Sequence, residues 1–191
     1  MPPRRRATAS ASPAPLRDLP TGPVPAAVPL DDVDKRILVL LSKDSRRSQR
    51  ALARELGMSA PAVGERIARL ERLGVIRGYG INIDWSAAGF PMTVYLTITA
   101  VQGYQQKELI EKLSLIPELE GLDVVTGAID LLARLRVRDH LHLRHLLMER
   151  IWQIEGVHRT ETSLSLMEVA PKNLVAELLS NPPAEEAQAG E

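Results

Sequence analysis

The chain has 191 residues, of which 45% are hydrophobic and 25% charged, a composition typical of a protein that folds around an apolar core. It contains no cysteine, which excludes disulfides, cysteine nucleophiles and thiolate metal sites. No run approaches the roughly 20 apolar residues of a membrane span, and no apolar segment follows the N-terminal arginines as in a signal peptide. The sequence therefore predicts a cytoplasmic protein that does not use a membrane as a partner.

The formal net charge is zero, but the charges are unevenly distributed along the chain. Residues 1–30 sum to +3, residues 31–80 carry eleven basic against seven acidic side chains, and the remainder sums to −7. A basic half joined to an acidic half is expected when only one domain must approach phosphates. Chance segregation of the charges is the alternative interpretation.

Composition and periodicity divide the chain into five segments. Residues 1–29 are rich in Pro, Ala, Ser and Arg without periodic apolar positions, which predicts a disordered arm. Its three arginines at positions 4–6 suit nonspecific contact with DNA. Two domains are predicted: three helices indicate the first at 30–80, and strands with alternating apolar residues indicate the second at 93–172. A linker at 81–92 joins them, and a C-terminal tail follows at 173–191.

The predicted helices of the first domain have local start and stop signals. The first helix is indicated by acids at positions 31, 32 and 34, which suit the positive end of the helix dipole. The second follows Ser48 and ends at Gly57, and the third follows Ser59 and ends near Gly74. The last two helices, separated by a short turn around Gly57, form the helix-turn-helix pattern. Residues 75–84 have β-rich ends around two glycines and predict a small hairpin or wing.

The second domain changes from helical to alternating periodicity. The predicted order is strand, helix, strand, strand, helix, strand, at 93–101, 105–116, 121–126, 131–137, 140–151 and 157–169. This β-α-β-β-α-β order is the ferredoxin-like pattern. The predicted fold class is therefore α+β, with a winged helix-turn-helix domain followed by a ferredoxin-like domain.

Both predicted domains share a dense set of residues with one known family: Asp34, Ile37, Leu38, Leu41, Arg46, Leu52, Ala53, Leu56, Ser59, Val63, Arg66, Leu70, Glu71, Gly74, Val75, Ile76, Val125, Thr126, Gly127, Asp130, Gly156, Val157, Thr160 and Thr162. The chain resembles the Lrp/AsnC, or feast/famine, transcription regulators. The resemblance implies a sequence-specific DNA-binding regulator, with a ligand-sensing domain through which subunits form dimers and often octamers.

Candidate DNA-binding residues follow from the helix-turn-helix geometry, in which the second of the two helices enters the major groove. Val63, Ile67 and Leu70 are expected to face the core. Arginines around the second helix suit phosphate contacts, while small residues on the third suggest modest base readout. A solvated face is the alternative for any single arginine. The predicted set is Arg46, Arg47, Arg50, Ser59, Ala60, Pro61, Ala62, Glu65, Arg66 and Arg69.

The resemblance marks the turn between the two central strands as the effector-facing part of the second domain. Backbone amides there would hold a carboxylate and Asp130 would accept from an amino group, which suits an amino acid. The candidate effector-binding residues are Thr126, Gly127, Asp130, Thr160 and Thr162. Ile129 stands where the family commonly has an aromatic residue, which leaves room for a bulkier or more apolar effector; an unused site is the alternative. A structural turn capped by Asp130 is the alternative.

No catalytic group, metal site or cofactor is predicted. His142 and His145 have only a weakly metal-like spacing, and all four histidines are expected at the surface. Two other functions stay open. The architecture also resembles sirohaem decarboxylases, for which Arg134, Arg136, Arg138 and the histidines would serve, and an effector-independent DNA-organising protein would need only the DNA-binding residues.

Overall fold

The computed structural model describes residues 27–180. Most of the predicted arm, including its three arginines at 4–6, and the last eleven residues lie outside this range. The described chain forms two compact units, one built from 27–81 with 170–180 and the other from 82–169. None of the helices between residues 27 and 180 is both long and apolar enough to cross a membrane.

Three helices form most of the first unit: α1 at Asp32–Lys43, α2 at Gln49–Leu56 and α3 at Ala60–Arg72. Helices α2 and α3 begin directly after the predicted start residues Ser48 and Ser59. Asp31 forms a capping box at α1, and the Ser48 and Ser59 side chains accept from backbone amides at the starts of α2 and α3. Gly57 ends α2 with a φ of 68°, a left-handed conformation that favours glycine. The helix-turn-helix prediction is confirmed.

The predicted hairpin at 75–84 is wrong, because no strand forms in this segment. After α3, the amides of Val75 and Ile76 both bond to the Leu70 carbonyl, at 3.0 and 3.2 Å. The two side chains pack against the core of the helices. Residues 77–84, which follow, form neither helix nor strand. Ile81 consequently lies 76% exposed.

The second unit is a four-stranded antiparallel sheet covered by two helices. Strands β1 to β4 are Met92–Ala100, Leu119–Val124, Leu131–Val137 and Val157–Leu164, and helices α4 and α5 are Gln106–Ser114 and His140–Glu149. The sheet order is β2-β3-β1-β4, so the ferredoxin-like prediction is confirmed. The last strand ends five residues before the predicted limit of 169. Alternate residues of β1 and β3 form the core with both helices.

A sixth helix, α6 at Leu174–Ser180, lies where the sequence predicts a tail. It packs against α1 within the first unit. Asn173, just before α6, exchanges side-chain hydrogen bonds with Ser42 of α1 at 3.1 and 3.2 Å. Because α6 is short and depends on these distant partners, its sequence alone gives little sign of it.

Gly156 provides a stability test of the second unit. A Cβ at this position would lie 2.5 Å from two ring carbons of Tyr104 and 3.2 Å from Leu109. Gly156→Ala is therefore expected to lower the free energy of unfolding by about 1–3 kcal/mol through overpacking, as measured by urea denaturation. Gly121→Ala is the control, because no atom lies within 4 Å of its Cβ position. Equal stabilities of the two variants would contradict the prediction.

Candidate DNA-binding and effector sites

The core face of α3 is as the sequence predicts, since Val63, Ile67 and Leu70 are buried. Pro61 and Glu65 are exposed on the opposite side, while Ala60 and Ala62 are half-buried. The Ser59 hydroxyl accepts a 3.3 Å hydrogen bond from the Ala62 amide, and Ser59 itself remains exposed. The predicted DNA-facing residues of α3 therefore include an exposed strip around Pro61 and Glu65.

The arginines around α2 differ in their surroundings. Arg46 and Arg50 are exposed, and neither has an ion-pair partner among residues 27–180. Arg47 is half-buried and pairs with the Glu55 carboxylate of α2. Arg46 and Arg50 are thus available to an incoming phosphate, whereas Arg47 is engaged within the domain.

Arg66 and Arg69 are joined to α1 by two acids. The Arg66 Nη1 atom lies 2.9 Å from Asp34 Oδ1 and 2.6 Å from Asp31 Oδ2, and the Arg69 Nη1 atom lies 2.9 Å from Asp34 Oδ2. The Asp34 side chain is only 1% exposed. Its two oxygens therefore receive guanidinium groups one helical turn apart on α3, which fixes α3 against the start of α1.

Gly64 allows α2 and α3 to approach. A Cβ at Gly64 would lie 3.0 Å from the Gln49 Oε1 atom of α2. Such a contact is tighter than ordinary van der Waals distance, so glycine leaves room for the Gln49 amide. Close packing between helices accounts for this residue.

The turn between β2 and β3 is fixed by Asp130. Its amide donates to the Ile98 carbonyl at 3.0 Å, and its Oδ2 atom accepts from the Ala100 amide at 2.8 Å. The other carboxylate oxygen makes no hydrogen bond within the described part of the chain. Gly127, with a φ of 124°, is exposed in this turn. The Asp130 carboxylate thus has a structural role in this turn.

Thr160 and Thr162 lie on β4, on the other side of β1 from this turn. In the register of β1 with β4, Thr160 pairs with Ile98 and Thr162 with Leu96. The Thr160 hydroxyl accepts from the Trp152 indole at 3.0 Å, and Thr162 is exposed. Ile98 therefore connects the two sites, because it pairs with Thr160 on β4 and its carbonyl accepts from the Asp130 amide of the turn. Thr162 lies two residues farther along β4.

Several histidines and arginines of the second unit pair with acids. His142 contacts Glu118 through Nε2 at 3.0 Å and accepts from the Arg138 amide at 3.2 Å through Nδ1. It is half-buried rather than at the surface, because these two groups enclose its ring. Arg134 and Arg136 pair with Glu120 and Glu168. No three metal-ligating side chains of residues 27–180 cluster as a metal site would require.

Family models and a relative give the same assignment. Residues 30–71 match the AsnC-type helix-turn-helix domain, and residues 93–175 match the Lrp/AsnC ligand binding domain. An HTH-type transcriptional regulator of Pyrococcus abyssi is 34% identical over 137 residues, or 72% of this chain and 86% of the relative. The chain belongs to the Lrp/AsnC family of transcriptional regulators. It combines a DNA-binding domain with a ligand-binding domain.

Two further proteins are similar to this Lrp/AsnC regulator. The leucine-responsive regulatory protein of Klebsiella pneumoniae is 33% identical over 149 residues, or 75% of this chain and 89% of that protein. A transcriptional regulator of Neisseria meningitidis, solved in complex with L-Met, has the same fold with a TM-score of 0.71 at 20% identity. That alignment covers 75% of this chain and 94% of the solved one.

Arg72, near the end of α3, is a further candidate DNA-binding residue that the set predicted from the sequence does not include. Arg72 is exposed and lies two helical turns after Glu65, so the two side chains share one face of α3. Both line the open cleft beside α3 with Arg66 and Arg69. The helical period carried this signal, but the predicted DNA-binding set ended at Arg69. We therefore add Arg72 to the candidate DNA-binding residues.

Proposed function

We propose that this regulator binds specific DNA sites and that an amino acid effector modulates its DNA binding or its assembly. One observation carries the proposal: exposed Arg46 and Arg50 flank a recognition helix in the same chain as an Lrp/AsnC ligand-binding domain. A regulator without a catalytic function needs no more than these two domains and a means of coupling them.

On the DNA side, Arg46 and Arg50 would contact phosphates and set the position of α3 on the duplex. The exposed strip of Pro61, Glu65 and Arg72 would then face the base edges. Arginine is suited to guanine and glutamate to the cytosine amino group, whereas Pro61 offers only apolar contact. With so few hydrogen-bonding groups, part of the specificity would come from DNA shape and deformability.

On the ligand side, the β2–β3 turn supports an amino acid as effector. Exposed Gly127 lets a ligand approach the backbone, and the unbonded oxygen of Asp130 can accept from an ammonium group. The relative from Klebsiella is described as leucine-responsive, and the neighbour from Neisseria holds L-Met. Thr160 would contribute a hydroxyl across β1, and Ile129, which is half-buried, would shape the apolar side.

The second unit also supports assembly into a homodimer or a higher oligomer such as an octamer. Strands β2 and β4 are both sheet edges, with unpaired backbone groups available to a partner. Several apolar side chains on the strands remain exposed, among them Tyr95, Val124 and Leu164. A second copy covering these groups would place two recognition helices on one symmetric site.

The DNA-binding proposal is tested with the variants Arg46→Ala and Arg50→Ala and their combination. Each lost phosphate contact is expected to reduce the slope of log affinity against log salt by about 0.9, so the double variant should lose about 2. Preference between matched and mismatched sites should barely change. Fluorescence anisotropy over a salt series on a duplex selected by the wild-type protein from a random pool provides the measurement.

Arg144→Ala is the matched control, since Arg144 is an exposed helical arginine of the second unit. If the double variant binds as wild type does, with an unchanged slope, the phosphate contacts lie elsewhere. If selection yields no preferred sequence although the protein binds DNA, the DNA-organising alternative is favoured.

A further inference from the structure

We propose that Asp31 competes with DNA phosphate for Arg66, so that this aspartate sets how tightly the regulator binds DNA. In the free protein Arg66 is shared between two acids, and complex formation would transfer its exposed contact from Asp31 to a phosphate. The inference rests on the proposed DNA-binding function and deepens it by naming a residue that restrains affinity.

The two acids that hold Arg66 differ in accessibility. The Asp34 side chain is 1% exposed and also holds Arg69, whereas the Asp31 side chain is 52% exposed. Arg66 itself is 31% exposed. The contact with Asp34 therefore belongs to the packing of α1 against α3 and persists on binding, while the contact with Asp31 faces solvent and can be exchanged.

The exchange of Asp31 for a DNA phosphate as the partner of Arg66 is chemically favourable. An exposed ion pair contributes little to stability, because water screens it and both side chains must be ordered. A phosphate offers a guanidinium charge-assisted hydrogen bonds with good geometry, and it releases counterions from the DNA. Arg66 would thus lose a weak partner and gain a stronger one.

The position of Asp31 places a negative charge among the candidate DNA-binding arginines. It lines an open cleft of about 860 Å³ beside α3, together with Arg66, Arg69 and Arg72. The Asp34 amide and the Arg66 guanidinium both lower the pKa of the Asp31 carboxyl below its ordinary value, so it is ionised at neutral pH. A fixed negative charge therefore stands among the cations that would meet the DNA backbone.

Asp31→Asn separates this contact from the role of Asp31 in folding. The Asp31 Oδ1 atom accepts from the Asp34 amide at 2.7 Å as the N-cap of α1, and asparagine caps helices about as well as aspartate. Asp32→Asn is the matched control. It removes the same charge one residue away, and Asp32 has no ion-pair partner among residues 27–180.

The experiment measures binding of the full chain to a duplex selected by the wild-type protein, over a salt series. Asp31→Asn is expected to bind about three- to tenfold more tightly with a slope steeper by about one counterion, and Asp32→Asn to change affinity less than about twofold. In an Arg66→Ala background, Asp31→Asn should lose its extra effect, as in a double-mutant cycle. Thermal unfolding checks that each variant folds.

The outcomes distinguish this inference from the proposed function. If Asp31→Asn and Asp32→Asn strengthen binding equally, general charge repulsion explains the effect and the competition is overturned. The same follows if Asp31→Asn has no effect, weakens binding, or keeps its full effect without Arg66. If no duplex binds the wild-type protein, the DNA-binding function itself fails.

Discussion

Replacing Asp34 with alanine is expected to lower the free energy of unfolding of the first unit by about 2–3 kcal/mol, because two guanidinium groups lose their buried partner. Removal of one member of a fully buried ion pair costs about 3–5 kcal/mol. Here Arg66 and Arg69 are 31% and 40% exposed, so water would relieve part of the loss. The variant also loses half of the capping box, a contact of 3.4 Å to the Asp31 amide.

The same substitution should weaken the proposed DNA binding, because Asp34 holds Arg66 and Arg69 in place on α3. Urea denaturation followed by circular dichroism measures the stability, with a separate transition allowed for each unit. Asp32→Ala is the control, since it lies in the same helical turn but is exposed. The control variant should lose only the helix-dipole contribution to the free energy of unfolding, about 0.5 kcal/mol. A difference between the two variants of less than about 0.5 kcal/mol would contradict the role of Asp34.

The elements that the sequence predicted well are those with local signals. The caps Ser48 and Ser59 lie next to the helices they start, and strand alternation indicates which face of a sheet is buried. The failures depend on distant partners. In the segment 75–84, Val75 and Ile76 pack against the helical core instead of forming part of a hairpin, and α6 packs against α1, which lies far away in the sequence.

In the candidate DNA-binding site, too, the features with local sequence signals were predicted and those that depend on distant residues were not. Helical periodicity correctly separates the buried positions of α3 from the rest. It cannot tell that Asp34, far away in sequence, binds Arg66 and Arg69, because that pairing exists only once α1 lies against α3. For the effector turn, the sequence allowed a structural or a ligand role for Asp130. Its hydrogen bond to Ala100 supports the structural role and leaves the ligand role as a proposal.

An amino acid is expected to bind at the β2–β3 turn with its ammonium group on Asp130, and Asp130→Asn should weaken that binding by about 10- to 100-fold. A hydrogen bond to a charged group contributes about 1.5–3 kcal/mol, which corresponds to this loss of affinity. Asparagine is the informative replacement. Its carbonyl can still accept from the Ala100 amide, whose bond to Asp130 is 2.8 Å long, so the turn keeps its structure while the charge is removed.

Isothermal titration calorimetry against the twenty amino acids, on wild type and Asp130→Asn, measures the effect. Asp123→Asn is the matched control, because Asp123 is exposed on β2 and makes no ion pair within residues 27–180. Light scattering on the same samples would show whether the effector changes the assembly. A ligand that binds one assembly state more tightly shifts the equilibrium toward it, and the coupling with DNA must be reciprocal, typically 1–3 kcal/mol.

The identity of the responding amino acid would test the apolar side of the proposed site. Ile129 replaces the aromatic residue common in the family, and aliphatic side chains occupy less volume than aromatic rings. Ile129→Phe is therefore expected to favour smaller amino acids over bulky ones, by a factor set by the lost space.

If Asp130→Asn binds an amino acid as tightly as the wild-type protein does, the binding site lies away from the β2–β3 turn. Absence of heat with all twenty amino acids would favour a different effector class or none.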